Sequence, residues 1–251
     1  MSSNSADTRG MPMDDEVLQQ KQIEVRQAAR ALSRAGLVDA YGHCSTRLDE
    51  ESFLVCKSGP MGLISPGENG TACPVEGPLP DGVLGEVRVH QKIYERRPDI
   101  GAVCRVIPPQ VMAMSVLGRP PKARHGFGAF FYPSPAFWDD PTLMRSDAIA
   151  AAVAQALGNA SGIILRGNGA VVAAATMKQA VTLTWFLEDM CRVELAVLTA
   201  GEADTAPLLT AAEAKHRADW AGQVAERMWS YLTFGDPETE RKAGGGRLGF
   251  L

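Results

Sequence analysis

Arg105 sits in the run Ala-Val-Cys-Arg-Val-Ile, residues 102–107. A buried strand does not tolerate an unpaired charge there. The guanidinium must pair with an internal acid, Glu86 being the candidate, or face a pocket and hold an anion through its fork of donors. Glu86 and His90 are four residues apart, so a helix carries both on one face. A carboxyl beside a dry pocket can act as general acid or base, whereas a solvated one at a helix start merely complements the dipole. His125 lies next to Gly126 among Phe127, Phe130, Phe131 and Tyr132. That stretch could wall a pocket for a flat or unsaturated substrate, or serve as core or subunit contact. His216, on a charged helix face, reads as solvated.

These residues need elements to position them. A helix is expected over 14–35, with Leu18, Ile23, Val25, Ala28, Ala29 and Leu32 inward and Gly36 as its stop. Residues 41–48 read as a loop entering a strand, and 53–56 as a strand. Residues 57–82, rich in Gly and Pro, read as loop or hairpin. A helix over 86–96 ends at Arg97-Pro98, and a buried strand over 100–107 ends at Pro108-Pro109. Further helices are expected over 111–117, 146–157, 177–200 and 211–232. Residues 127–132 read as a strand or pocket wall. Strands 162–165 and 170–174 flank Gly167-Asn168-Gly169, and Asn-Gly is a strong hairpin mark. Helices alternating with short strands imply an α/β fold with a mixed or mostly antiparallel sheet covered on both faces.

The 251 residues show no internal repeat and no linker, so one domain is expected over 14–235, between a disordered arm (1–13) and a tail (236–251). A net charge of -4 argues against nucleic acid or an anionic membrane as partner. Five cysteines, widely spaced and without a CxxC pair, read as reduced thiols. The N-terminus lacks a secretory pattern, and no apolar run approaches the roughly 20 residues of a membrane helix, so a cytoplasmic protein is expected.

Four segments, in order, resemble the class II aldolase/adducin family. They are Gly42-His-Cys-Ser-Thr-Arg-Leu48, Glu86 to His90 leading into Ile-Tyr-Glu-Arg-Arg-Pro-Asp-Ile-Gly-Ala-Val, the strand end at Cys104 to Pro108, and Ile164 to Val172. The resemblance spans roughly residues 15 to 200. It implies a three-layer α/β/α fold, a homotetramer with sites between subunits, and closure by a C-terminal tail carrying Trp229, Tyr231 and Phe234. It also implies a metal held by a His-x-His pair and a third histidine, but those positions fall on Arg105, Ile107 and Asn168. A guanidinium and an isoleucine cannot ligate a divalent cation. No cofactor is therefore expected, a divalent metal being disfavoured.

The resemblance makes Glu86 the proton-moving acid. It places His43, Ser45, Ser58 and Gly59 in segments that bind substrate phosphate or carboxylate. The expected function is a metal-independent enzyme acting on a small carboxylated substrate by proton transfer next to a carbonyl or along a dienoate. Isomerase, tautomerase and decarboxylase chemistry all fit, with an acid of aromatic catabolism as one candidate. Arg105 would replace the metal's charge, Glu86 would move the proton with His90 or Tyr132, and His43, His125 and Asn168 would bind substrate. The alternatives are a metal-dependent lyase with ligands relocated to His43, Glu86, His90 or His125, and a non-catalytic, adducin-like scaffold.

Overall fold

A computed structural model describes residues 15–240. In chain order the elements are α1 (Asp15–Arg34), β1 (His43–Arg47), β2 (Ser52–Val55), β3 (Thr71–Pro74), α2 (Arg88–Arg96) and β4 (Ala102–Val106). Next come α3 (Pro109–Val116), β5 (Ala136–Trp138), α4 (Asp147–Leu157), β6 (Gly162–Leu165) and β7 (Ala170–Ala174). The long α5 (Met177–Thr199), then α6 (Ala211–Arg217), α7 (Val224–Leu232) and α8 (Pro237–Glu240), complete the described chain.

The described strands form one sheet in the order β3-β2-β1-β4-β7-β6-β5. All neighbours are antiparallel except β5 and β6. Alternating side chains feed two separate cores. Ala102, Cys104 and Val106 of β4 join a core with Val25, Leu32, Phe186 and Leu187, under α1 and α5. Val103 joins Val89, Ile93, Val153 and Leu165, under α2 and α4. The architecture is therefore α/β/α, with the mostly antiparallel sheet expected from the sequence. Ser146 and Thr176 cap α4 and α5 through side-chain acceptors, which fixes where both helices start.

Several elements depart from expectation. Residues 43–47 are a central strand, because β2 and β4 supply hydrogen-bond partners on both sides. β3 lies inside the stretch read as loop or hairpin and pairs antiparallel with β2, and β5 had no expectation at all. Both are edge strands of three or four residues, too short to show alternation. Residues 127–132 contain a 3₁₀ turn, Gly128–Phe131, in place of a strand. Phe127 stacks on Phe186 of α5 with centroids 4.3 Å apart, which is core packing. The final helix is broken at 218–223, where Gly222 and Gln223 take left-handed φ values of 72° and 59°.

Residues 236–240 are not a free tail. Arg30 bonds Asp236 and Glu238 at 2.7 Å each, and Arg26 bonds Glu238 at 2.7 Å, all buried against α1. The expected arm (1–13) and the rest of the tail (241–251) lie outside the described residues. All five cysteines are buried and unpaired. No helix of the described residues is long and apolar enough to cross a membrane.

Candidate active site

Two periodicities match under α2. Alternate residues of β1, namely His43, Ser45 and Arg47, recur about every 6.6 Å on the face that α2 covers. Glu86, His90 and Tyr94 recur every four residues, about 6 Å along a helix. The rows therefore stay in step. His43 Nδ1 lies 2.8 Å from His90 Nε2. Ser45 Oγ lies 2.6 Å from His90 Nδ1 and 2.9 Å from Tyr94 Oη. Arg47 donates to the Tyr94 carbonyl at 2.8 Å, and its guanidinium sits 4.7 Å over the Tyr94 ring. Glu86 extends the row from a 3₁₀ turn, Gly85–Val87, that leads into α2.

On the neighbouring strand Arg105 is in register with His43 and has 3% exposure. Its Nη2 donates to Asn168 Oδ1 at 2.5 Å and stands 3.3 Å from Glu86 Oε2. Asn168 is delivered by the β6–β7 connection. Asn168 N donates to Leu165 O at 2.9 Å, and Gly167 takes a φ of 63° at the position where a type II turn needs a positive value. Gly169 follows with a φ of 74°, and a Cβ there would come within 2.2 Å of Val106 O. Only glycine lets the turn approach β4 closely enough for Asn168 to meet Arg105.

The electrostatics follow from burial. Burial pulls the Arg105 pKa down, while the charges of Glu86 and Asp39 push back. Burial holds His43 well below its ordinary value, with His90 and Arg105 adding to the effect. Burial and the Arg105 charge bring His90 down to about 3. Both rings are therefore neutral at pH 7. Arg105 Nε and Nη1 and His43 Nε2 are buried and have no hydrogen-bond partner among the described residues.

These groups line a cavity of about 760 Å³, with Tyr41, Leu84, Leu143 and Arg145 around them. The first three are 71%, 45% and 39% exposed, so the mouth is aromatic and aliphatic while the floor is polar. Two guanidinium groups against one carboxylate leave the lining net positive, which suits an anionic ligand.

Of the residues expected at the site, Glu86, Arg105, His43, Gly59 and Asn168 line this cavity together. His90 and Ser45 are not on its wall. Both are fully buried and reach it only through His43. Ser58 is exposed, donates to Gly82 O at 2.8 Å and sits in an adjoining crevice. Two expectations are corrected for the single chain. Tyr132 lines a different cleft, beside Arg119 and Lys122. His125 lies 3.8 Å from Asp189 and edge-on to Phe127, because the 3₁₀ turn folds its segment onto α5. Sequence reasoning missed Tyr94 and Arg145. Tyr94 was visible as the next step of the Glu86–His90 spacing, whereas Arg145 sits in a loop with no pattern to mark it.

Arg105, Ile107 and Asn168, the positions that the resemblance assigned to metal ligands, all line this cavity. One is a cation and one an alkyl group, so the donor set does not fit a divalent metal. Among the described residues no group of three or more His, Cys, Asp or Glu is placed to hold one.

Comparison with known proteins identifies relatives in sequence and in fold. The pattern of the class II aldolase and adducin N-terminal domain matches residues 23–195. A 3,4-dihydroxyphthalate decarboxylase from Arthrobacter keyseri is 31% identical over 198 residues, covering 70% of this chain and 78% of that one. A protein of the same name from Rhodococcus jostii is 27% identical, covering 75% and 85%. An aldolase II superfamily protein from Pseudomonas syringae superimposes with a TM-score of 0.75 at 20% identity, covering 94% of this chain and 96% of that one. L-fuculose 1-phosphate aldolase from Glaciozyma antarctica gives 0.74 at 20% identity with the same coverage. At that identity the two structures speak for the fold alone.

Proposed function

The chain belongs to the class II aldolase and adducin family, and on that footing we propose that it is a metal-independent lyase that removes carbon dioxide from a small hydroxylated aromatic acid of the dihydroxyphthalate type. The observation that carries the reading is Arg105, a buried cation on the cavity wall with two nitrogens unpartnered among the described residues. The names of the sequence relatives supply the substrate class.

The direction of charge flow decides what each arginine does. Decarboxylation removes negative charge from the departing carboxylate, so a cation clamped on that group would stabilise the ground state and oppose the reaction. A cation helps where charge develops, on a ring oxygen conjugated with the carbon being protonated. Arg105, deep and fixed, takes that oxygen. Arg145, 68% exposed at the mouth, takes the carboxylate that is retained.

Glu86 moves the proton. It accepts the hydroxyl proton as charge builds on the ring oxygen and returns it to the ring carbon that bears the departing carboxylate. The carbon–carbon bond then breaks, its electron pair returns to the ring, and carbon dioxide leaves. Solvent reprotonates the oxygen, so the balance is one carboxylate and one proton in, one C–H and one carbon dioxide out. The buried floor excludes water from the developing anion.

The test is turnover of 3,4-dihydroxyphthalate by the purified full chain, followed as released carbon dioxide, with elemental analysis before and after chelation. Release that survives chelation, at metal contents far below one per chain, is expected. Near-stoichiometric metal whose removal abolishes release would overturn metal independence. No release by the metal-replete protein would overturn the lyase reading.

A further inference from the structure

Tyr94, Ser45 and His90 form a buried row behind His43 that the proposed chemistry does not use. The row has four contacts. His43 Nδ1 meets His90 Nε2 at 2.8 Å, and His90 Nδ1 meets Ser45 Oγ at 2.6 Å. Ser45 Oγ meets Tyr94 Oη at 2.9 Å, and Tyr94 Oη meets the Ser45 carbonyl at 3.1 Å. Two neutral imidazoles and two hydroxyls carry four mobile protons between them. The last contact ends on a carbonyl, which can only accept. Its proton is therefore the tyrosine's, which leaves Tyr94 Oη to accept from Ser45. Ser45 Oγ in turn accepts from His90 Nδ1, and His90 Nε2 accepts from His43 Nδ1. Four protons then fill four contacts. Running the row the other way puts one proton on His43 Nε2 and leaves three for four buried contacts. It also leaves an N–H on a ring that already feels the charge of Arg105, whose Nε and Nη1 are themselves unpartnered among the described residues.

We propose that Tyr94, Ser45 and His90 lock His43, a residue of the cavity lining, in the Nδ1–H tautomer, so that its buried Nε2 is a fixed acceptor that selects ligands bringing a hydroxyl group to it. His43 is in register with Arg105 on the adjacent strand, so the two act on neighbouring atoms of one ligand. Arg105 donates to one ring oxygen and His43 accepts from the hydroxyl beside it. The pair thus reads two vicinal oxygens, one as acceptor and one as donor. This deepens the lyase reading and rests on it for the identity of the ligand. The lock itself is a property of the free protein. Ser45, His90 and Tyr94 are positioning residues, and burial keeps the row neutral.

A site built to accept a hydroxyl proton rejects an analogue without it, because the acceptor is then stranded in a dry pocket. Tyr94→Phe removes the acceptor for the Ser45 proton. Ser45 then donates to His90, and the row reverses. Ser45→Ala removes the acceptor for His90 Nδ1–H, with the same result by a second route.

The experiment is nitrogen-15 NMR of histidine-labelled full chain at pH 7 without ligand, the His43 resonances being assigned by their loss in His43→Gln. Wild type is expected to carry the His43 proton on Nδ1, and folded Tyr94→Phe or Ser45→Ala to carry it on Nε2. A wild-type proton on Nε2, or an unchanged tautomer in both folded variants, would overturn the lock. Calorimetry with 3,4-dihydroxybenzoate and 4-hydroxybenzoate reads the selection. A preference of about tenfold or more for the diol, lost in Tyr94→Phe, is expected from the cost of an unpaired buried acceptor. Equal binding of the two acids by wild type would overturn the selection. The NMR result needs no turnover, so it stands apart from failure of the lyase assay.

Discussion

Arg105 and Asn168 are 63 residues apart and joined by a 2.5 Å hydrogen bond from Nη2 to the amide oxygen. The bond fixes the guanidinium in the cavity floor and, with Glu86 at 3.3 Å from the same nitrogen, uses only one of its three nitrogens. The other two, Nε and Nη1, are buried and have no hydrogen-bond partner among the described residues.

This division of labour predicts a kinetic split between the two arginines. Arg105→Met should lower kcat by roughly 100-fold or more, as loss of a donor to a developing oxyanion does elsewhere, with a smaller change in KM. Arg145→Met should raise KM and leave kcat within a few-fold, because its contact is the same in ground and transition states. Steady-state kinetics of both variants checks this, and a KM effect confined to Arg105 would reverse the assignment.

Glu86→Gln keeps the shape and removes the proton carrier. The expected loss in kcat is about 100- to 10,000-fold, with thermal stability little changed. Full activity in this variant would transfer the proton role to another group.

Stability should fall with acid earlier than carboxylates alone require. His43 and His90 are held neutral by burial, with folded values far below 6.5. The unfolded chain binds their protons as pH drops through 6.5, while the folded chain does not. The stabilisation is therefore complete above pH 6.5. It is lost on the way down at about 1.4 kcal/mol per pH unit for each histidine until the folded values are reached. Denaturant midpoints between pH 7 and 4.5 measure the slope. His90→Gln should remove a large share of it, and a flat profile would contradict neutral burial.

The docking of α8 predicts a different acid window. Burial of Asp236 and Glu238 works against their charges, but hydrogen bonds and charge from Arg30 and Arg26 outweigh it and lower both pKa values. Their contribution is present above the ordinary carboxyl values of 3.8 and 4.5 and is lost as pH falls through the lowered ones. Arg30→Ala leaves the buried Asp236 with only the Arg34 cation, at 3.7 Å, and Glu238 with Arg26 alone, and should cost about 3 kcal/mol, or roughly 6–12 °C in Tm for a domain of this size. A Tm change within 1 °C, by calorimetry, would mean that the network adds little.

The sequence determined the parts whose physics is local. Helix periodicity, the Arg97-Pro98 and Pro108-Pro109 stops, and the apolar run around Arg105 gave the α/β layering and marked an internal cation. Glu86 and His90 were legible as a pair because four residues bring a helix back to one face. What remained depended on partners distant in the chain. Residues 43–47 are a strand because β2 and β4 flank them, and β3 and β5 are edges defined only by the strands they join. Asn168 reaches Arg105 because two left-handed glycines lay the turn against β4. His125 and Tyr132 carried the same residue types as a pocket wall, yet packing against α5 took the segment away from the cavity. The tautomer of His43 lay furthest from the sequence, since it depends on where Tyr94 ends a row of hydrogen bonds. Local spacing sets which side chains share a face, and the docking of one face on another decides which of them meet.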